Sequence, residues 1–316
     1  MRILVTGASG FVGSLLVGHL LSEGHAVRAL GRDPARVSAA LRETSPDDAT
    51  EVEVFRGDAL SGDGLARALA HVDVAYYLIH SMERGLPARG SFAEREELAA
   101  RSFAAASARA DVARIVYLGG PLPPDRAASP HLASREAVAR ILLEAVPASV
   151  ALRASIVIGA RSRSFRLLVR LVERLPVLAL PAWRSFRTQP IDERDVIELL
   201  TAAATATAVA GHSLDVGGPD VLTYEEMISR IAELMLVRRA VLGLGVNMTP
   251  IAARVVAAIA AEDPELIVAL MESLQGDLLM SDDHAAKLLG VELHSFDSAV
   301  EHALRMWEQS EPLAAR

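Results

Sequence analysis

Short β-branched runs that are apolar at nearly every position alternate along the first half of the chain with stretches whose apolar residues recur every three to four positions. The runs predict strands near Arg2–Thr6, Ala26–Leu30, Val52–Phe55, Val74–Leu78, Arg114–Leu118 and Ser149–Val157. The periodic stretches predict helices near Phe11–Glu23, Ala35–Glu43, Gly62–Ala70, Phe92–Arg109 and Ser134–Glu144. Strand and helix in strict turn imply crossover units, so the expected fold class is α/β with a doubly wound parallel sheet. Past about residue 160 the alternation weakens into helices with isolated strands near Gln189–Ile191, His212–Val216 and Ala240–Gly245, then a helix-rich tail from Pro250 to Trp307. Residues 1–160 are therefore expected to form a nucleotide-binding core. Residues 161–316 are expected to form mostly a smaller, helix-rich substrate-capping region, with some segments returning to the core.

Composition narrows the picture. The 316 residues are 51% hydrophobic, enough for a sizeable core, but much of the apolar excess is alanine and charges or prolines interrupt each candidate membrane span. The best of these, Leu199–Leu214, is rich in Ala and Thr and contains His212, so no transmembrane segment is expected. The amino terminus runs from Met1-Arg2 straight into a strand without the regions of a signal peptide, and a cytoplasmic location is expected. The absence of cysteine excludes disulfides and thiolate chemistry. A net charge of −8 argues against a general nucleic-acid binder. Lys287 is the sole lysine, which removes any mechanism that needs a lysine near the middle of the chain.

The chemistry begins at Thr6-Gly7-Ala8-Ser9-Gly10-Phe11-Val12-Gly13, directly after the first strand and opening the first helix. Gly7 permits a tight turn, Gly10 lets backbone approach a pyrophosphate, and Gly13 lets the helix pack closely on the strand, with helix N–H groups left to hold the phosphate. In this context the motif predicts a Rossmann-type dinucleotide site built from Gly7, Ser9, Gly10, Phe11, Val12 and Gly13. The second strand ends in Leu30-Gly31-Arg32-Asp33-Pro34. An NAD site places an acid directly after that strand, where this chain has Gly31 and then Arg32, whose guanidinium suits a 2′-phosphate. The competing assignment makes Asp33 the ribose acid, although its position before Pro34 fits a helix N-cap better. NADP(H) is favoured over NAD(H) on that ground. After the third strand, Asp58 with Ala59 is placed either to hold the adenine amino group or to cap a helix. Leu78, His80 and Ser81 end the fourth strand on the carboxyl edge, where ligands bind in such sheets. Tyr76 and Tyr77 point to opposite faces and Tyr117 reads as core. The run Arg161, Arg163, Arg166 and Arg170 reads as a solvated face, or as a grip on an acidic ligand.

These residues together resemble the extended and atypical branches of the short-chain dehydrogenase/reductase superfamily. Gly57-Asp58 looks like the family's adenine-binding acid, Leu152-Arg153-Ala154-Ser155-Ile156-Val157-Ile158-Gly159 like its LRPxxVYG segment beside the nicotinamide, and Pro190-Ile191 with Asp195-Val196 like a later recurring element. Ala75 to Met82, Tyr117-Leu118-Gly119-Gly120 and Gly217 to Tyr224 look more closely like the atypical NAD(P)H-binding subgroup. That subgroup is related to NmrA-like regulators and to accessory-subunit-like proteins of NADH:ubiquinone oxidoreductase.

The resemblance implies a tyrosine acid/base, a lysine four residues on and a serine that orients the carbonyl. This chain departs at each place. Gly119-Gly120 stand for the serine, His131 for the tyrosine and Arg135 for the lysine. One turn apart on a helix, His131 could donate a proton while Arg135 holds the nicotinamide ribose. His131 is thus the candidate catalytic residue and Arg135 a candidate cofactor ligand. Two functions lead, a reductase of a small carbonyl, enone or quinone with a nonstandard proton donor, or a cofactor-binding regulator or assembly factor without turnover; a third, an epimerase or dehydratase of a nucleotide sugar, also normally needs the tyrosine and is minor. The sequence names no small-molecule ligand, partner or oligomeric state.

Overall fold

A computed structural model describes residues 1–46, 49–79, 91–123, 125–244, 274, 276–281 and 284–309. The amino-terminal half alternates strand and helix: β1 (Arg2–Thr6), α1 (Phe11–Ser22), β2 (Ala26–Gly31), α2 (Pro34–Thr44), β3 (Glu53–Arg56), α3 (Leu65–Leu69), β4 (Val74–Tyr77), α4 (Phe92–Arg109), β5 (Arg114–Gly119), α5 (Pro130–Ala145) and β6 (Val150–Ala154). The second half adds β7 (Val157–Ile158), α6 (Arg163–Arg174), β8 (Val177–Leu180), β9 (Arg187–Thr188), β10 (Ile191–Asp192), α7 (Glu193–Ala203) and β11 (Ser213–Val216). It continues through β12 (Leu222–Thr223), α8 (Tyr224–Leu234) and β13 (Ala240–Gly243), and ends with α9 (His284–Leu289) and α10 (Phe296–Glu308).

Seven strands form one sheet in the order β11-β6-β5-β4-β1-β2-β3, and each described pairing in it is parallel. The order reverses between β1 and β4, which opens a crevice at their carboxyl ends. Because parallel strands are covered on both faces, their residues are apolar throughout rather than alternating. Tyr76 enters the core formed with Leu16, Leu20, Val196 and Leu199 from α1 and α7. Its neighbour Tyr77 enters the opposite core, against Phe103 of α4 and Tyr117, with ring centroids 5.0 and 6.1 Å away.

The second half differs from the sequence expectation in two ways. The run Ser149–Val157 is two strands, broken at Ser155-Ile156, so that β6 stays in the main sheet while β7 pairs in parallel with β10. The predicted strand near Gln189–Ile191 is likewise split into β9 and β10, with Gln189 and Pro190 between them. Predicted strand His212–Val216 is the seventh strand of the main sheet, and α7 and α9 pack into the same core as α1. A separate apolar layer is built from α6, α8, α10 and the strands around them. Two short pairs lie inside that half: β13, which matches the strand expected near Ala240–Gly245, pairs with β8 over four residues, and β9 pairs with β12 over two, β8 and β12 being strands the sequence reading did not pick out.

The arginine run on α6 is not a solvated face. Arg166 and Arg170 lie over the ring of fully buried Trp307, with Cζ 4.3 and 5.0 Å from its centroid. Arg161 reaches Ser14 Oγ at 3.0 Å, and of the four only Arg163 is exposed. Guanidinium groups over an indole combine apolar contact with attraction to the ring quadrupole. Trp307 therefore pins α10 to α6. Trp307→Ala is expected to destabilise the protein by about 3–5 kcal/mol, read as a lower urea midpoint, because the cavity lies between two helices held apart by their other contacts.

Candidate functional site

The crevice between β1 and β4 is shaped by backbone. Where the two strands part, Thr6 Oγ1 donates to the Tyr76 carbonyl at 2.9 Å and accepts from the Leu78 amide at 3.2 Å, so a side chain completes the ladder. Gly7 then turns with φ +68°, and a Cβ there would sit 2.5 Å from the Leu78 carbonyl oxygen. The Gly10 amide donates to the Gly7 carbonyl at 2.8 Å, and a Cβ on Gly13 would collide with that same carbonyl. Helix α1 consequently starts hard against the strand end.

Its N-cap, Gly10, offers no side-chain hydrogen bond, and the first turn holds no acid. By contrast α2, α4, α5, α6, α7, α8 and α10 are capped by Asp33, Ser91, Ser129, Ser162, Asp192, Thr223 and Ser295. The first amides of a helix point outward and need an acceptor, and an anion at that end also gains from the helix dipole. Gly7, Ser9, Gly10, Phe11, Val12 and Gly13 thus make a cradle that fits the pyrophosphate of a dinucleotide.

Around the cradle, a Cβ on Gly31 at the end of β2 would lie 2.5 Å from Val37 Cγ2, so this place has no room for a carboxylate. Asp33 accepts from the amides of Ala35 and Arg36 at 3.0 and 3.3 Å, which makes it the cap of α2. Arg32 between them is exposed. Past β3, Asp58 Oδ1 accepts from the Leu60 amide at 2.8 Å while the Asp58 amide donates to the Asp63 carbonyl at 2.9 Å, and Ala59 is buried. Asp58 therefore holds the turn that follows β3. Leu78 lines the end of β4, and His80 and Ser81 lie outside the described residues.

Arg135 occupies the place of the expected lysine and is 8% exposed. Its Nη2 donates to the Leu118 carbonyl at 2.6 Å and its Nη1 to the Ile79 carbonyl at 3.5 Å, with Nη1 3.6 Å from Glu96 Oε1 and the guanidinium 5.1 Å from the Tyr117 centroid. Glu96, 2% exposed, also accepts from Ser134 Oγ at 3.0 Å. One buried ion pair thereby ties the ends of two central strands to α4 and α5. Sequence reasoning found Arg135 and missed Glu96, which reads as one polar residue among many on α4. His131, a turn earlier, is half-buried against Phe92 at 5.9 Å. Burial and the Arg135 charge push its pKa down to about 4, so the imidazole is neutral at pH 7.

Glu193, which the sequence did not single out, packs on the other side of α1. A Cβ on Gly159 would collide with its Oε2 and lie 2.6 Å from Phe11 Cζ, and His302 Nε2 is 3.4 Å from its Oε1. Burial first, then Asp192, pushes its pKa up to about 7 against the opposing charges of Arg194 and Arg161. Its signal was positional only, the first residue of a helix that follows a two-residue strand.

Both perturbed groups have a pH signature. Unfolded His131 protonates near 6.5 and folded His131 near 4, so stability is lost as pH falls across that interval. Unfolded Glu193 ionises near 4.5 and folded Glu193 near 7, so stability is lost as pH rises across that one. Urea midpoints at pH 5 and 8 are expected to show Glu193→Gln gaining on the wild type at pH 8 by on the order of 1–3 kcal/mol. Arg135→Ala strands a buried carboxylate and is expected to cost about 3–5 kcal/mol, whereas pairing Arg135→Met with Glu96→Leu recovers most of it.

Comparison with known proteins agrees with this geometry. An NAD(P)H-binding family profile matches residues 7–157. The 3 beta-hydroxysteroid dehydrogenase/Delta 5-->4-isomerase of Mycobacterium tuberculosis (strain ATCC 25618 / H37Rv) is 33% identical over 126 residues, 37% of this chain and 30% of that enzyme's length. Dihydroflavonol 4-reductase of Zea mays is 49% identical over 57 residues, 18% of this chain and 16% of its own. The matched segments thus span less than a third of these relatives. Among solved structures, UDP-glucuronic acid 4-epimerase from Bacillus cereus in complex with NAD superposes with a TM-score of 0.71 at 18% identity, covering 98% of this chain and 99% of its own. UDP-glucose 4-epimerase from Thermotoga maritima gives a TM-score of 0.75 at 14% identity, covering 98% and 99%. Residues 7–157 thus match an NAD(P)H-binding profile, and the chain shares a Rossmann-type fold along its length with these epimerases.

Proposed function

We propose that the protein is an NADP(H)-dependent reductase of a small carbonyl, enone or quinone, working without the usual Tyr-x-x-x-Lys pair. The observation that carries the cofactor choice is the end of β2. Val37 leaves no room for an acid at Gly31, Asp33 is engaged as a helix cap, and Arg32, exposed at the end of β2, carries the charge that suits a 2′-phosphate. NADPH, when bound, supplies the hydride. The chain's own part is to cradle the pyrophosphate on α1, to hold the adenine side with Asp58 and Ala59, and to line the nicotinamide side with Leu78 and the carboxyl edge of β6. Relatives with reductase and dehydrogenase names support hydride chemistry at a carbonyl, and a relative named UDP-glucose 4-epimerase stands beside them.

A second reading has its own support. Arg135 is engaged by two backbone carbonyls and Glu96, and His131 is neutral at pH 7, so the substituted pair is built as structure. That favours a cofactor-binding regulator without turnover. A stopped assay of NADPH oxidation against small ketones, cyclic enones and quinones separates the two: turnover with any of them supports the reductase, and tight NADPH binding with none supports the regulator.

For cofactor choice, calorimetric titration is expected to show NADPH binding more tightly than NADH, and Arg32→Ala to weaken NADPH about ten-fold while leaving NADH unchanged, the size of one charge-assisted contact. Equal loss for both cofactors would remove Arg32 from the 2′-phosphate.

A further inference from the structure

Two buried donors in the capping layer lack acceptors. Tyr224, the first residue of α8, is 2% exposed, yet its hydroxyl, beside Thr188, makes no hydrogen bond of good geometry with the described residues. Trp183 is 7% exposed, stands edge-on to Tyr224 at 5.8 Å, and its indole N–H likewise has no acceptor among them. A polar group left dry and unpaired is costly, so a native core keeps one where something else completes it.

The position of this pair says what completes it. Thr188 of β9 is fully buried and pairs opposite Leu222 of β12, which carries Tyr224 alongside it. On its other side Thr188 Oγ1 lies 2.6 Å from Ser155 Oγ. Ser155 is the residue after β6, on the carboxyl edge of the sheet and one strand over from Gly119-Gly120, where the usual serine hydroxyl is missing. A seam of hydroxyls therefore runs from the cofactor edge into the cap.

We propose that Ser155, Thr188 and Tyr224, with Trp183 beside them, form a subsite that receives the oxygen of a neutral carbonyl on an apolar body. This deepens the reductase reading and rests on it for the position of the nicotinamide. The donors are uncharged, and the layer around them is Phe165, Leu178, Leu180, Leu222 and Met227. Arg126 and Asp277 act on the phenol with opposite signs. An anionic ligand would lose more hydration here than neutral hydroxyls return, whereas a quinone or enone carbonyl needs only acceptors met.

The test uses the full chain and menadione, a neutral naphthoquinone that quenches nearby indoles. Of the two tryptophans, Trp183 is in the subsite and Trp307 under the α6 arginines. Menadione without NADPH is expected to quench the fluorescence, Trp183→Phe to abolish the quench, and Tyr224→Phe and Ser155→Ala each to weaken binding about ten-fold, the worth of one buried hydrogen bond. Tyr224→Phe is expected to leave the melting temperature unchanged or raised, since the lost hydroxyl makes no hydrogen bond of good geometry with the described residues. Quenching that survives Trp183→Phe, or equal binding by Tyr224→Phe and Ser155→Ala, overturns the subsite and leaves an ordered water as the group that completes both donors. Tyr224-dependent quenching in a protein that turns nothing over upholds the subsite while removing the reductase. Turnover with unchanged KM in both hydroxyl variants does the reverse.

Discussion

The site depends on one steric constraint, the contact of backbone with backbone where the Gly7 turn meets the carbonyl after β4. With no Cβ at Gly7 or Gly13, α1 begins against the strand end and its uncapped amides face the crevice. A methyl group at either position would push the helix away and with it the amides. Among the described residues seven other helices carry a side-chain cap, whereas α1, like the five-residue α3, starts on a glycine without one, and α1 is the one whose open amides face the crevice.

Next to that cradle, the place where the resemblance read from the sequence implies a catalytic lysine is held by a buried ion pair. A lysine at position 135 would be a mobile point charge, whereas a guanidinium has the planar fork to reach two carbonyls and a carboxylate at once. The exchange makes the ends of β4 and β5 rigid at the expense of a titratable partner for residue 131.

The strands and helices up to β6 were legible because each is a complete apolar or periodic run, and the glycine spacing fixed the cradle residue by residue. Asp33 was legible as a cap from the proline after it. What lay beyond reach depends on contacts between segments far apart in the chain. Glu96 is defined by Arg135, Glu193 by Gly159 and Phe11, and the Ser155–Thr188 pair by a strand break that alternation alone does not show. The arginines of α6 misled because their periodicity is that of a surface, and only Trp307, well over a hundred positions later, makes them an interior.

Helices α9 and α10 adjoin in sequence, yet α9 fills the core shared with β1 and α1 while α10 fills the capping layer. Both layers are thus finished by the same late stretch of chain. During synthesis the amino-terminal sheet emerges with an apolar gap where Ala285 and Leu289 belong, and the cap emerges without Trp307. Such long-range closure raises contact order and slows folding, and it ties the two layers into one cooperative unit. One short stretch of chain is thus the clasp that shuts both compartments together.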